Sequence, residues 1–190
     1  MSNSEKTFKM FVGPMWSSKT THLLLELEKC KFQEKKTVLF KPGIDSRYSS
    51  GAEIVSHAGW KWPAVLVNTG EDILQYLYGS NNYDTIALDE AFMVPGSAKI
   101  LNWLFRNSYN VVVASLDLNS QLKEFDEIKE MMPWATQIKK LDAACAVCRN
   151  VARYTHRKHA AENVDSVFVG GEADYEPRCH KCHPAFVSEL

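Results

Sequence analysis

The sequence predicts an α/β protein with a mainly parallel sheet and a small separate lobe at its carboxyl-terminal end. Three observations lead there. Short β-branched and aromatic runs alternate with helical patterns up to about residue 140, the pattern of strands joined by crossover helices. Residues 13 to 20 read Gly-Pro-Met-Trp-Ser-Ser-Lys-Thr between an apolar run and a helical pattern. After residue 141 the alternation stops and two C-x-x-C pairs bracket the remainder.

The strands expected in order are Thr7–Val12, Thr37–Lys41, Thr85–Asp89, Val111–Leu116 and Thr136–Leu141. The helices are Thr20–Glu34, Glu71–Leu77, Ser97–Ser108 and Phe125–Met132. In the first helix Leu23, Leu24 and Leu27 recur near a 3.6-residue period, with Glu26, Glu28, Lys29 and Lys31 on the other side. The Ser-, Gly- and Trp-rich stretch Tyr48–Ala64 reads as a long loop or an extended hairpin. The expected division is residues 1–141, a nucleotide-binding domain, and 142–190, the lobe. At 190 residues with 45% hydrophobic content, the chain is long enough for one real core plus such a lobe.

A net charge of −1, with lysines and arginines scattered, offers no basic field for a nucleic-acid partner. No apolar run approaches the ~20 residues needed to cross a bilayer, so no membrane association is expected. Met1–Lys6 lacks the apolar core of a secretion signal, which points to the cytoplasm.

The segment Gly13–Thr20 fits the phosphate-loop pattern G-x-x-x-x-G-K-[ST] except that Ser18 stands at the second glycine. Backbone N–H groups of such a loop and the following helix start converge on an anion. Lys19 would reach the β- and γ-phosphates of a nucleotide, and the Thr20 hydroxyl would sit on a magnesium ion. The apolar strand ending in Asp89-Glu90 supplies an acid for the same magnesium and a second acid able to polarise a hydroxyl. Both motifs fall at strand carboxyl ends, where parallel sheets bind ligands. Lys41-Pro42-Gly43-Ile44-Asp45-Ser46-Arg47 displays Asp45 and Arg47 on the loop after the second strand. By spacing alone, that pair reads as a surface ion pair as readily as a group that neutralises a moving phosphoryl.

Of the five cysteines, Cys30 stands alone in the first helix. Cys145/Cys148 and Cys179/Cys182 give four thiolates at the spacing of a closed, structural zinc site. His180 and His183 flank the second pair, so either could replace a cysteine. A redox dithiol would need a thioredoxin-like setting that is absent. His22, His57, His156 and His159 have no ligand spacing.

Taken in order, the motifs resemble the thymidine kinases of the cytosolic, zinc-containing type. They are Gly13-Pro14-Met15…Lys19-Thr20, Asp45-Ser46-Arg47-Tyr48-Ser49-Ser50, Asp89-Glu90, Leu116-Asp117, Cys145–Cys148, Tyr154-Thr155…Arg157, Val169-Gly170-Gly171…Tyr175 and Cys179–Cys182. The resemblance implies a RecA-like domain, a zinc-ribbon-like lobe carrying a lasso loop over the nucleoside, and a homotetramer. It implies ATP-dependent phosphorylation of the 5′-hydroxyl of thymidine or a close deoxypyrimidine nucleoside, for DNA precursor salvage. Donor and magnesium would be held by Gly13, Pro14, Met15, Trp16, Ser17, Ser18, Lys19, Thr20, Asp45 and Asp89. Glu90 would be the general base, with Lys19 and Arg47 stabilising charge. The nucleoside would meet Met15, Met93, Leu116, Phe125, Thr155, Val169, Gly170 and Tyr175.

Three departures stand out. Ser18 occupies the usual glycine; if φ is positive there, it costs roughly 1–2 kcal/mol. Ala91-Phe92-Met93 follows the catalytic acid in place of Gly-Gln-Phe, with Met93 in a pocket-wall position. Ser120 stands where an aromatic is common, although Phe125 remains. The rival classes are a nucleic-acid-stimulated ATPase and a catalytically inactive nucleotide-binding relative.

Overall fold

A computed structural model describes residues 5–43, 53–55, 59–79, 82–159, 171 and 173–187. Six strands form one sheet: β1 (Phe8–Val12), β2 (Thr37–Pro42), β5 (Val65–Val67), β6 (Thr85–Asp89), β7 (Asn110–Ser115) and β8 (Gln137–Lys140). Their spatial order is β5-β2-β6-β7-β1-β8, and every pairing is parallel. All six carboxyl ends therefore open on one edge. The predicted parallel α/β sheet is present, with each expected strand within a residue or two of its place. β5 is an addition: three residues beside Ala64 are too short for a pattern to register.

Side chains alternate between the two faces, and each face has its own cover. Phe8, Met10, Phe40, Ile86, Leu88, Val111 and Val113 enter one apolar cluster. There they meet α2 (Gly70–Tyr78), α3 (Ser97–Arg106) and α4 (Asp126–Met131). Phe11, Leu39, Ala87, Val112 and Ala114 point the other way and pack against Leu23, Leu24 and Leu27 of α1 (Lys19–Phe32). The leucine stripe read from the sequence is thus the buried seam of α1. Burying strands on both faces explains why they read as continuous apolar runs rather than alternating ones.

Within the Tyr48–Ala64 stretch, β3 (Glu53–Val55) and β4 (Lys61–Pro63) pair antiparallel, the extended-hairpin form of the expectation. Ile54 and Ala64 are buried on the α1 side of the sheet.

α2 begins with a capping box. The Thr69 hydroxyl accepts from the Asp72 N–H, and the Asp72 carboxylate accepts from the Thr69 N–H. α3 is capped from outside: the Glu127 carboxylate accepts from the Gly96 and Ala98 N–H groups, each at 2.6 Å, and from the Ser97 hydroxyl. Glu127 so replaces an N-cap side chain at a position where Gly96 has φ 75° and has none to offer.

Beyond Leu141 the chain forms two small antiparallel ladders, β9 (Ala143–Ala144) with β10 (Val151–Ala152), and β11 (Tyr154–Arg157) with β12 (Tyr175–Arg178). A single turn of helix, α5 (Pro184–Val187), follows. Among the described residues, no helix is long and apolar enough to cross a membrane.

Candidate active site

The loop after β1 is shaped by backbone constraints. Gly13 has φ 149°, and a Cβ there would stand 2.4 Å from the Leu141 carbonyl oxygen, so only glycine fits beneath that strand end. Trp16 and Ser18 both adopt left-handed conformations, at φ 61° and 62°. The positive φ conditional on Ser18 is therefore met, and its side chain makes no capping hydrogen bond to α1 in return. The Pro14 carbonyl accepts from the Ser17 hydroxyl at 2.8 Å and from the Lys19 ammonium at 2.6 Å. Lys19 is almost fully buried, so the loop wraps round its own cation.

Thr20, in the first turn of α1, donates its hydroxyl to the Asp89 carboxylate at 3.0 Å. Asp89 is buried at the end of β6. The next residue, Glu90, is half-buried and left-handed at φ 50°. A non-glycine residue held there is strained by its surroundings, a condition typical of functional turns. Glu90 starts the 3₁₀ turn Ala91–Met93 and so lies beside Asp89 at the carboxyl edge of the sheet.

Phe92 and Phe125 pack with ring centroids 4.5 Å apart and planes tilted by 43°, and the Phe92 N–H donates to the buried Ser115 hydroxyl at the end of β7. Met15 and Met93 are buried yet belong to neither core cluster. Leu116 is half-buried just beyond β7. Its neighbour Asp117 is buried and paired with Lys140 at 2.8 Å, tying the β7 and β8 ends together.

The lobe reaches this edge through Thr155. Its buried hydroxyl accepts the Met15 N–H at 3.1 Å, joining residues 140 apart in sequence. Tyr175 sits opposite Arg157 at the start of β12 and is half-buried. Asp45, Arg47, Val169 and Gly170 lie outside the described residues.

Sγ atoms of Cys145, Cys148, Cys179 and Cys182 all lie within 4.8 Å of one another. The Cys148 and Cys179 sulfurs are 3.5 Å apart, near the edge of about 3.8 Å expected for sulfurs of a tetrahedral zinc site. Burial raises the Cys145 thiol, but N–H groups of Cys148, Cys179 and Val147 outweigh it and bring its pKa down to about 6. Cys182, hydrogen-bonded to Cys179 and Cys148, is pushed up to about 12. Thiols this close cannot all ionise without a cation between them, and these residues fit a zinc ion. Neither flanking histidine joins them. His180 stacks on Phe186, and both ring nitrogens of His183 are directed to the backbone, at Thr155 and Ala185. Burial holds the His183 imidazole below its usual pKa, against the opposing effect of the Thr155 carbonyl.

The phosphate-loop residues, Thr20, Asp89, Glu90, Met15 and Thr155 thus meet on one edge of the sheet. The thymidine kinase family model matches residues 6–183, from two residues before β1 to the residue after the last cysteine. The chain belongs to the thymidine kinase family. Membership makes nucleoside phosphorylation its chemistry, with thymidine kinase activity and ATP use implied by the family. Two features went unread in the sequence: the tilted Phe92–Phe125 contact and the His183 contact with Thr155. An aromatic two residues past Glu90, or a histidine beside a cysteine, does not disclose which distant residue it will meet. A cleft of about 780 Å³ between α1 and β4, lined by Lys31, Lys35, Trp60, Trp62 and Tyr83, contains none of the site residues.

Proposed function

We propose that the protein transfers the γ-phosphoryl group of ATP to the 5′-hydroxyl of thymidine or a close deoxypyrimidine nucleoside. The observation that carries this reading is the 3.0 Å bond between Thr20 and Asp89, with Glu90 adjoining. Phosphoryl transfer asks chiefly for positioned charge, and that juxtaposition supplies it. Loop N–H groups of Gly13, Trp16, Ser17 and Ser18 and the Lys19 ammonium hold the donor phosphates, while the Met15 N–H is kept by the Thr155 hydroxyl. Thr20 and Asp89 are hard oxygen ligands suited to magnesium. A magnesium ion bound there would neutralise charge on the donor phosphates. Glu90 orients the attacking hydroxyl and takes its proton, while Arg47, with Asp45 beside it, offsets charge on the migrating group. Met15, Met93, Leu116, Phe125, Thr155, Val169, Gly170 and Tyr175 surround the nucleoside.

Residues 1–141 act as the nucleotide-binding domain and 142–190 as a lobe closing over the acceptor. Four thiolates leave no open zinc position, so that ion is structural. Cytoplasmic nucleotide salvage by a homotetramer completes the reading. The test is a nucleoside panel with γ-labelled ATP and magnesium, scored for labelled monophosphate. Thymidine or deoxyuridine should lead; a protein that binds ATP and labels no nucleoside would overturn the reading in favour of an inactive relative.

A further inference from the structure

His183 directly follows a cysteine of the thiol cluster and is only 2% exposed. Its backbone is fixed by the second knuckle, where the Cys182 and His183 N–H groups both donate to the Cys179 carbonyl at 3.0 Å. Its ring is enclosed by Tyr154, His156 and Phe186, with centroids 5.5 to 5.9 Å away. The Ala185 N–H points at Nδ1 at 3.3 Å, which makes Nδ1 the acceptor. The neutral ring then carries its proton on Nε2, which faces the Thr155 carbonyl at 3.4 Å. Thr155 in turn accepts the Met15 N–H through its own hydroxyl. One backbone unit is therefore held on both sides, by the cysteine knuckle and by the phosphate loop.

We propose that His183 is a positioning residue that couples the cysteine knuckle to the phosphate loop through Thr155 and Met15. Met15 lies between Gly13 and the left-handed residues Trp16 and Ser18, so its N–H orientation helps fix a loop whose backbone is strained at two neighbours. A displaced Thr155 would release that N–H and let the loop relax from its anion-binding form. The 3.4 Å contact is long for a hydrogen bond, but burial removes water as a competing partner. The inference rests on the reading of this loop as the donor-phosphate site.

The test uses the zinc-containing full chain and reads donor binding apart from turnover. Calorimetry with a non-hydrolysable ATP analogue and magnesium is run on wild type, His183→Phe, His183→Gln, His183→Asn and Thr155→Val, with zinc content measured for each. His183→Phe keeps the bulk and removes the donor; it should weaken the analogue about five- to tenfold, the size of one lost buried hydrogen bond, with zinc retained. His183→Gln can present an N–H near the Nε2 position and should restore affinity to about twofold of wild type, whereas the shorter His183→Asn should not. His183→Phe should add nothing in the Thr155→Val background. Wild-type affinity in His183→Phe, or a fully additive double variant, overturns the proposal. If His183→Phe fails to fold or loses zinc, the Gln and Asn variants decide, and equal affinities for those two overturn it as well. Failure of wild type to label any nucleoside would sink the kinase reading and leave these binding results standing.

Discussion

The Thr20 hydroxyl meets the Asp89 carboxylate although their strands are not neighbours: β7 lies between β1, which leads into the loop, and β6, which ends in Asp89. The two residues come together only because α1 starts over the carboxyl edge and β6 ends there. Ala87 and Ala114, small residues on β6 and β7, belong to the cluster that packs against α1.

That contact sets the first prediction. Thr20→Val removes the hydroxyl with little change in shape and should lower turnover about 100-fold, the scale seen when one charge-stabilising group is lost. Thr20→Ser should stay within a few-fold of wild type. Initial rates against magnesium concentration check this; equal rates for the Val and Ser variants would remove Thr20 from the chemistry.

Ser18 should tolerate glycine and resist branching. At φ 62° a serine is strained by about 1–2 kcal/mol, and glycine relieves that while losing about 0.5–1 kcal/mol to chain entropy. Ser18→Gly is then expected to raise stability by roughly 0.5–1 kcal/mol, helped by the absence of any cap bond to lose. Ser18→Val should destabilise. Denaturant unfolding of both, with donor affinity alongside, is the measurement, and a less stable glycine variant contradicts the strain argument.

Much of this was legible in the sequence. Gly13, Lys19 and Thr20 sit at fixed offsets, Asp89-Glu90 ends an apolar run, and the C-x-x-C pairs declare themselves by spacing. The end signals were partly visible too: the first helix stops at Phe32 rather than Glu34, which is left-handed at φ 57°. What the sequence withheld depends on contacts distant along the chain. Nothing local places β7 between β1 and β6, and the Glu127 cap on α3 spans 29 to 31 residues. His183 read as an alternative ligand because its partner, the Thr155 carbonyl, is a backbone group 28 residues away.

Glu127 gives the third prediction. Glu127→Ala leaves the Gly96 and Ala98 N–H groups without their charged acceptor and should cost about 2 kcal/mol. The Ser97 hydroxyl also bonds the Ala91 carbonyl, so loosening the α3 start should disturb the turn after Glu90 and raise the KM for nucleoside. Glu127→Gln should fall between. Thermal unfolding and steady-state kinetics test this; an unchanged melting midpoint would show that the cap contributes nothing.

Zinc removal should unfold the lobe and, with it, donor and nucleoside binding. Structural zinc supplies on the order of 10 kcal/mol of apparent folding free energy, more than ladders of two and four residues contribute. A chromogenic chelator should therefore release zinc and activity together. Cys182→Ser should weaken metal retention, since a serine hydroxyl is a poor substitute for a thiolate. Full activity in metal-free protein would disprove the coupling.

Glu90 is the sharpest test of the chemistry. Its left-handed backbone is imposed by the turn into Ala91–Met93 and does not depend on the charge, so Glu90→Gln should keep the fold, the zinc and the affinity for ATP. The amide cannot take a proton, and general base catalysis is commonly worth 10²–10⁴-fold, so kcat should drop by about that factor while donor affinity stays put. Loss in both together would place Glu90 in binding, and a rate near wild type would move the base elsewhere.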